Sequence, residues 1–367
     1  MTTLLLGIAT AVPEHVCTRD QSLAIAAQAL QHEAEALAFA QRLITASGVE
    51  ERHTVIADYG RPMAERTFFA RTPDFLPEPT TRERNEIYRR EAPALARQCA
   101  EALGPSSWRG RITHLLTASC TGFAAPGFDI DLVRALGLSA RVHRAHLGFM
   151  GCYAGFSTLK LAQAICQSDP SALVLIVHVE LCSLHIHFRR DAETLIANSL
   201  FADGAAAALV GSERHRDLLA GAPIAVRGFA AFLLPSGEED MTWTIGNHGF
   251  HMTLSPRVPH LLRNHLRATF AALLQEQNAK RDQIRHWAIH PGGPAILDQA
   301  VKALGIDEAD VTIAREVLRS YGNMSSSTLW FLLDRIRHEP KSGLVYACGF
   351  GPGLTVESAL LEHSGMG

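Results

Sequence analysis

The chain has 367 residues, 47% of them hydrophobic and 19% charged, with a formal net charge of −3. That length calls for two closely packed halves around a large core, and so weak a charge excludes a global pull toward nucleic acid or an anionic membrane. Seven cysteines, scattered and without a Cys-x-x-Cys pair, argue against a disulfide framework or a zinc ribbon and for a reducing, cytoplasmic setting.

The N-terminal segment has only a short apolar run and no basic leader, so it reads as a strand over Thr3–Ala9 and not as a signal peptide. No stretch approaches the roughly 18 apolar residues of a membrane span. Helical periodicity covers Ser22–Ile44 and Glu86–Leu103. After a strand at Ile112–Ser119, a second strand over Val142–Phe149 runs into Gly151, Cys152 and a helix over Phe156–Cys166. Strands at Ala172–Glu180 and Ala205–Val210 lead to the polar segment Gly211–Pro223, which divides the chain into halves 1–213 and 214–367. The second half reads as a strand at Ile224–Phe232, a helix at Val258–Gln275, a strand at His286–His290 and helices at Ile296–Leu304 and Thr328–Arg337. A final pair of strands, Leu344–Phe350 and Leu354–Leu361, reverses at a Gly-Pro-Gly turn. Strands alternating with helices predict an α/β fold with a mostly parallel or mixed sheet. Each half carries a strand–turn–helix unit with a reactive residue at its turn, as a duplicated architecture would.

Four segments carry chemistry. Cys152 falls on the first turn of a helix, where unpaired N–H groups and the helix dipole favour thiolate and suit a developing oxyanion. Taken alone, the segment fits a small buried apolar cysteine equally well. His290 ends a strand just before Pro291-Gly292-Gly293-Pro294, where open α/β sheets place their ligands. The glycines permit close approach, and the helix start receives an anion. Asn323, in Tyr321-Gly322-Asn323-Met324-Ser325, reads by itself more readily as a helix cap. The run Gly349-Phe350-Gly351-Pro352-Gly353 reads alone as a hairpin reversal.

Together, GCYAG around Cys152, LFADGAAA from Leu200, HPGGPAILDQ from His290, REVLRSYGNMSS from Arg315 and GFGPGLTVES from Gly349 resemble the type III polyketide synthases, the chalcone and stilbene synthase superfamily. The resemblance covers nearly the whole chain. It implies a thiolase-like duplicated αβαβα layered fold, a cytoplasmic homodimer, and an acyl-CoA starter and malonyl-CoA as substrates. No metal and no cofactor beyond the coenzyme A thioesters is implied, nor nucleic acid or membrane insertion. Cys152 would be the acyl-carrying thiolate, His290 its ion-pair partner, and His290 with Asn323 the donors to the enolate left when malonyl-CoA loses CO2.

The resemblance also assigns the pocket. Phe201 matches the aromatic residue between the coenzyme A tunnel and the inner cavity. Met252 falls where a second gatekeeping phenylalanine is usual, and Trp243 where plant chalcone synthases carry glycine. Cys120, His185 and Ser325 map to cavity-lining positions that govern starter choice and chain length. Ala125 replaces a methionine that crosses the dimer interface in plant members. Gly349, Phe350, Gly351, Pro352 and Gly353 should form part of the cyclisation wall. Gly292, Gly293 and Ala295 match backbone along the pantetheine arm, and Arg52 stands for the basic phosphate contacts. These substitutions look bacterial and point to a fatty acyl starter with an alkylpyrone or alkylresorcinol product. The nearest alternative is a ketoacyl synthase III-like enzyme that condenses once with carrier-bound malonyl. A papain-like Cys-His-Asn hydrolase or an inactive scaffold would not carry these strings with all three residues intact.

Overall fold

The computed structural model describes residues 2–104, 106–219 and 221–365; Met1 and Met366–Gly367, the ends of the two expected halves, lie outside the described residues. Nine strands form one mixed sheet in the order 284–289, 343–351, 355–363, 224–233, 3–11, 203–212, 173–181, 114–119, 143–148. At each end of this order the outermost two strands are parallel, while the pairs in between are mostly antiparallel. The sheet crosses from one part to the other at a three-pair ladder, where Thr3, Leu4 and Leu5 pair with Val226, Ala225 and Ile224. So short a seam lets the two parts of the sheet stack as layers.

Strand alternation shows what fills those layers. Leu173, Leu175, Val177 and Val179 join the cluster built on the Thr81–Glu101 helix, while Val174 and Ile176 join the cluster on the other face. Two helices occupy that inner layer, Ala154–Ser168 and Thr328–Ile336, and each touches strands of both halves. Trp330, Leu332 and Leu333 on the second are fully buried, at about 1.5–3 kcal/mol of burial for each large apolar side chain. The Val258–Glu276 helix covers the outer side of 355–363 and 224–233. This is the thiolase-like layered fold.

Local differences from the sequence reading have physical causes. The Ser22–Ile44 pattern forms two helices, Arg19–Ala29 and Ala34–Ala46, which pack on each other; no Gly or Pro marks the break. The strand before Cys152 is not a buried apolar strand: His143–Gly148 is the sheet's edge and is largely exposed. A two-stranded hairpin, Met241–Gly246 with Gly249–Leu254, stands outside the main sheet. Within Gly211–Pro223, the long strand ends at Ser212 and a 3-10 turn covers Glu213–Leu218.

Candidate active site

The two outer parallel strands each lead to one of the expected site residues. Past Gly148 the chain enters a 3-10 turn, Gly151–Tyr153, and the helix begins only at Ala154, so Cys152 lies just ahead of the helix and not on its first turn. Gly151 has φ +74, and a Cβ there would lie 2.2 Å from Pro352 Cδ. A Cβ on Gly351 would lie 2.4 Å from the Tyr153 ring. The turn that carries Cys152 and the Gly-Pro-Gly reversal are therefore packed into each other, and glycine is what permits it.

At the other edge, the strand Ile284–Ile289 ends and the His290 N–H donates to the Cys348 carbonyl at 2.9 Å. The His290 side chain is 1% exposed, and neither ring nitrogen has a hydrogen-bond partner among the described residues. A buried imidazole left wholly unpaired costs free energy unless it serves a ligand. Asn323 is pinned by its backbone to the segment before it in the cavity wall: its N–H donates to Leu200 O and its carbonyl accepts from Ala202 N–H, each at 2.9 Å. Ser325, in left-handed backbone at φ 49, donates its N–H to Asn323 Oδ1 at 2.9 Å. With its oxygen so occupied, the Asn323 amide turns its NH2 group outward as a donor.

Cys152, His290 and Asn323 line one cavity of about 510 Å³, within the range of small-molecule sites. Burial pushes the Cys152 thiol up to about 12, against the Ser325 hydroxyl and Asn323 amide, which lower it; the Glu180 carboxylate adds to the rise. Burial brings His290 down to about 4. Burial thus opposes the charged form of each partner of the expected ion pair.

The same cavity gathers Phe201, Met252, Trp243, Cys120, His185 and Ser325, together with Gly292, Gly293 and Ala295. Trp243 and Met252 are directly paired across the hairpin, so both project from one face. The Trp243 indole N–H donates to Cys120 O at 2.7 Å. His185 donates through Nε2 to Thr121 O at 2.7 Å, accepts from Phe250 N–H at 3.0 Å, and stacks on Phe250 at 4.0 Å. Burial keeps it neutral, at about 3. Trp243 meets it edge-on at 5.4 Å, so this wall is fixed by hydrogen bonds as well as packing. Of the reversal, only Phe350 and Pro352 face the cavity; Gly349 and Gly351 back onto Phe156 and Tyr153, and Gly353 makes the turn with φ +73.

Arg52 lines the cavity, but its guanidinium is committed to protein acceptors: Asn198 O, Phe201 O at 3.2 Å and Ser22 Oγ at 2.7 Å. These contacts brace the backbone of Asn198 and Phe201. Ala125 precedes Pro126 at a cis peptide bond. Sequence reasoning passed over His178 and Glu180, both fully buried. The available signal was two polar residues on one face of an otherwise apolar buried strand.

A cysteine, an unpaired histidine and an oriented asparagine around one cavity of a duplicated thiolase-like fold define an acyl-transferring, carbon–carbon bond-forming enzyme. The chain belongs to the chalcone and stilbene synthase family: the model of the N-terminal domain matches residues 2–214 and that of the C-terminal domain residues 227–364. It is a type III polyketide synthase, and the single-condensation alternative is not favoured. It is 33% identical over 309 residues to the alpha-pyrone synthesis polyketide synthase-like Pks18 of Mycobacterium tuberculosis, covering 82% of this chain and 79% of that one. Among solved structures, the C-terminal type III polyketide synthase domain of Steely1 from Dictyostelium superposes with a TM-score of 0.89 at 28% identity, covering 99% of both chains. The 1,3,6,8-tetrahydroxynaphthalene synthase of Streptomyces coelicolor gives 0.83 at 29% identity, covering 98% of this chain and 99% of that one.

Proposed function

We propose that this polyketide synthase loads a fatty acyl group from coenzyme A onto Cys152, extends it with malonyl-CoA and closes the chain as an alkylpyrone or alkylresorcinol. The observation that carries the reading is His290, buried with both ring nitrogens free among the described residues and lining the same cavity as Cys152 and the oriented Asn323 amide. Likeness to an enzyme of alpha-pyrone synthesis supports the product class.

The steps start from the Cys152 thiol, whose protonated form burial favours. As Cys152 Sγ attacks the acyl carbonyl, its proton passes to His290, which returns it to the departing coenzyme A thiolate. Malonyl-CoA then enters with its pantetheine arm along Gly292, Gly293 and Ala295. An apolar cavity disfavours the free carboxylate, and loss of CO2 leaves the bond's electron pair as an enolate. His290 N–H and Asn323 NH2 hold the enolate oxygen. The enolate carbon attacks the Cys152 thioester and the C–S bond breaks, leaving the lengthened chain as a β-ketoacyl coenzyme A thioester; the Cys152 thiolate takes up a proton from solvent or is reloaded directly by that thioester. No group beyond the coenzyme A thioesters is called on. Arg52 serves as a brace for Phe201, with phosphate binding left to other residues.

We place the enzyme in the cytoplasm as a homodimer. Seven unpaired cysteines among the described residues fit a reducing compartment. The exposed edge strand His143–Gly148, with Phe123 and Phe149 exposed nearby, is the kind of edge a second copy covers. Purified protein incubated with acyl-CoA starters of graded length and labelled malonyl-CoA, without carrier protein, should yield cyclised products by mass spectrometry. Cys152→Ala should yield none; product formation by that variant would overturn the assignment.

A further inference from the structure

Behind the nucleophile lies a buried carboxyl that the reaction steps do not use. Glu180 is 0% exposed at the end of the Leu173–Leu181 strand. All its partners are neutral donors: the Cys120 N–H at 2.9 Å, the Thr121 hydroxyl at 3.2 Å and the Ser326 hydroxyl. Ser326 in turn accepts from His178 Nδ1 at 3.0 Å, and His178 Nε2 meets the Thr158 hydroxyl at 2.9 Å. Donors converging from every side suit a carboxylate, yet among the described residues no cation pairs with it.

This cluster reaches Cys152 by a short route. Cys120, held at its N–H by Glu180, receives the Gly151 N–H on its sulfur at 3.0 Å. Gly151 is the residue before the nucleophile. On the other side, Ser326 adjoins Ser325, whose hydroxyl acts on the Cys152 thiol. Cys120 also accepts from Trp243, so the same strut ties the nucleophile turn to the specificity wall.

We propose that Glu180 is a positioning residue for the nucleophile, fixing the Gly151 N–H through Cys120 while its unneutralised charge sets how readily the Cys152 thiol ionises. The titratable groups that face it are Tyr88 from the Thr81–Glu101 helix, Cys120, Cys152 and Cys182, with His178 behind Ser326. None of them carries a positive charge at neutral pH, since burial holds His178 at about 3. Burial raises Glu180 itself to about 7, so its charge appears as the pH rises through neutrality. Below that point the thiol has a neutral neighbour; above it, an anion that opposes thiolate.

The test reads the thiol and not turnover. It rests on Cys152 being the nucleophile, which the loss of product in Cys152→Ala decides separately. N-ethylmaleimide modification of the Cys152 peptide would be followed by mass spectrometry from pH 6 to 9 in the wild type, Glu180→Gln and Glu180→Asp. The expected result is equal rates at pH 6 and a Glu180→Gln rate about threefold or more above wild type at pH 8.5, half a pKa unit or more being about that factor. Glu180→Asp, which keeps the charge, should follow the wild type. A ratio that stays constant with pH, or a slower Glu180→Gln rate at pH 8.5, would overturn the proposal. If Glu180→Gln does not fold, Ser326→Ala replaces it. Removing one donor leaves Glu180 protonated to higher pH, so its excess rate over wild type should peak between about pH 7 and 8; no excess there overturns the proposal equally.

Discussion

Gly151→Ala probes the contact on which the nucleophile turn depends. The backbone there has φ +74, which costs an L-residue about 1–2 kcal/mol. The added Cβ would lie 2.2 Å from Pro352 Cδ and 2.9 Å from Cγ, with Pro352 N at an ordinary 3.6 Å. A proline ring cannot rotate away, so overpacking adds about 1–3 kcal/mol. A stiffer unfolded chain returns up to about 1 kcal/mol, leaving a net loss of about 1–5 kcal/mol. Urea unfolding at fixed protein concentration measures it. Pro352→Ala removes the ring atoms that clash and spares the backbone, so the double variant should recover the overpacking share, a coupling of about 1–3 kcal/mol. Displacement of Cys152 should also lower kcat about a hundredfold. A single variant within about 0.5 kcal/mol of wild type, or a double variant with no recovery, would refute the claim that packing against Pro352 sets this turn.

Asn323→Asp puts a carboxylate where the enolate oxygen develops and should cut malonyl-CoA decarboxylation about 10²–10³-fold. Acyl loading of Cys152, read by intact-protein mass, should be affected much less. Arg52→Met removes the brace on Asn198 and Phe201, so it should raise KM equally for acyl-CoA and acyl-dephospho-CoA; a selective effect on the phosphorylated form would make Arg52 a phosphate contact after all. Trp243→Phe loses the donor to Cys120 O and should cost about 1–3 kcal/mol of stability, whereas Trp243→Gly should open the wall and lengthen the products seen by mass spectrometry. Buried His178, His185 and His290, lowered to about 3, 3 and 4 from an ordinary 6.5, stay neutral in the fold while the unfolded chain takes up protons. Each withdraws about 1.4 kcal/mol per pH unit as pH falls below 6.5. Glu180, raised to about 7 from 4.5, works the other way and returns stability as pH falls through 7. Thermal unfolding between pH 7.5 and 5.5 should therefore show a steeper loss for Glu180→Gln than for wild type.

Much of the site was legible because its decisive features are local. A Gly before Cys152, the Pro-Gly-Gly run after His290 and the Gly before Asn323 each set a turn through φ restrictions within a few residues, and alternating strand and helix patterns set the layers. Even there, locality misled twice. Periodicity runs unbroken from Ser22 to Ile44 although packing splits it into two helices, and the strand expected over Val142–Phe149 forms over His143–Gly148 as the sheet's exposed edge.

What tertiary structure alone decided are the contacts between residues far apart in sequence. Arg52 reads as a free cation until Asn198, 146 residues away, is seen to accept its N–H. Trp243 reads as a bulky substitution until its indole is seen to hold Cys120, 123 residues back. Glu180 lies 60 residues from Cys120 and 146 from Ser326. No periodicity or turn rule links such positions, because the partners that make a buried charge tolerable are brought together only when the strands and helices pack. The sequence by itself singled out the residues expected to react; the packing decided what holds them still and at what cost they ionise.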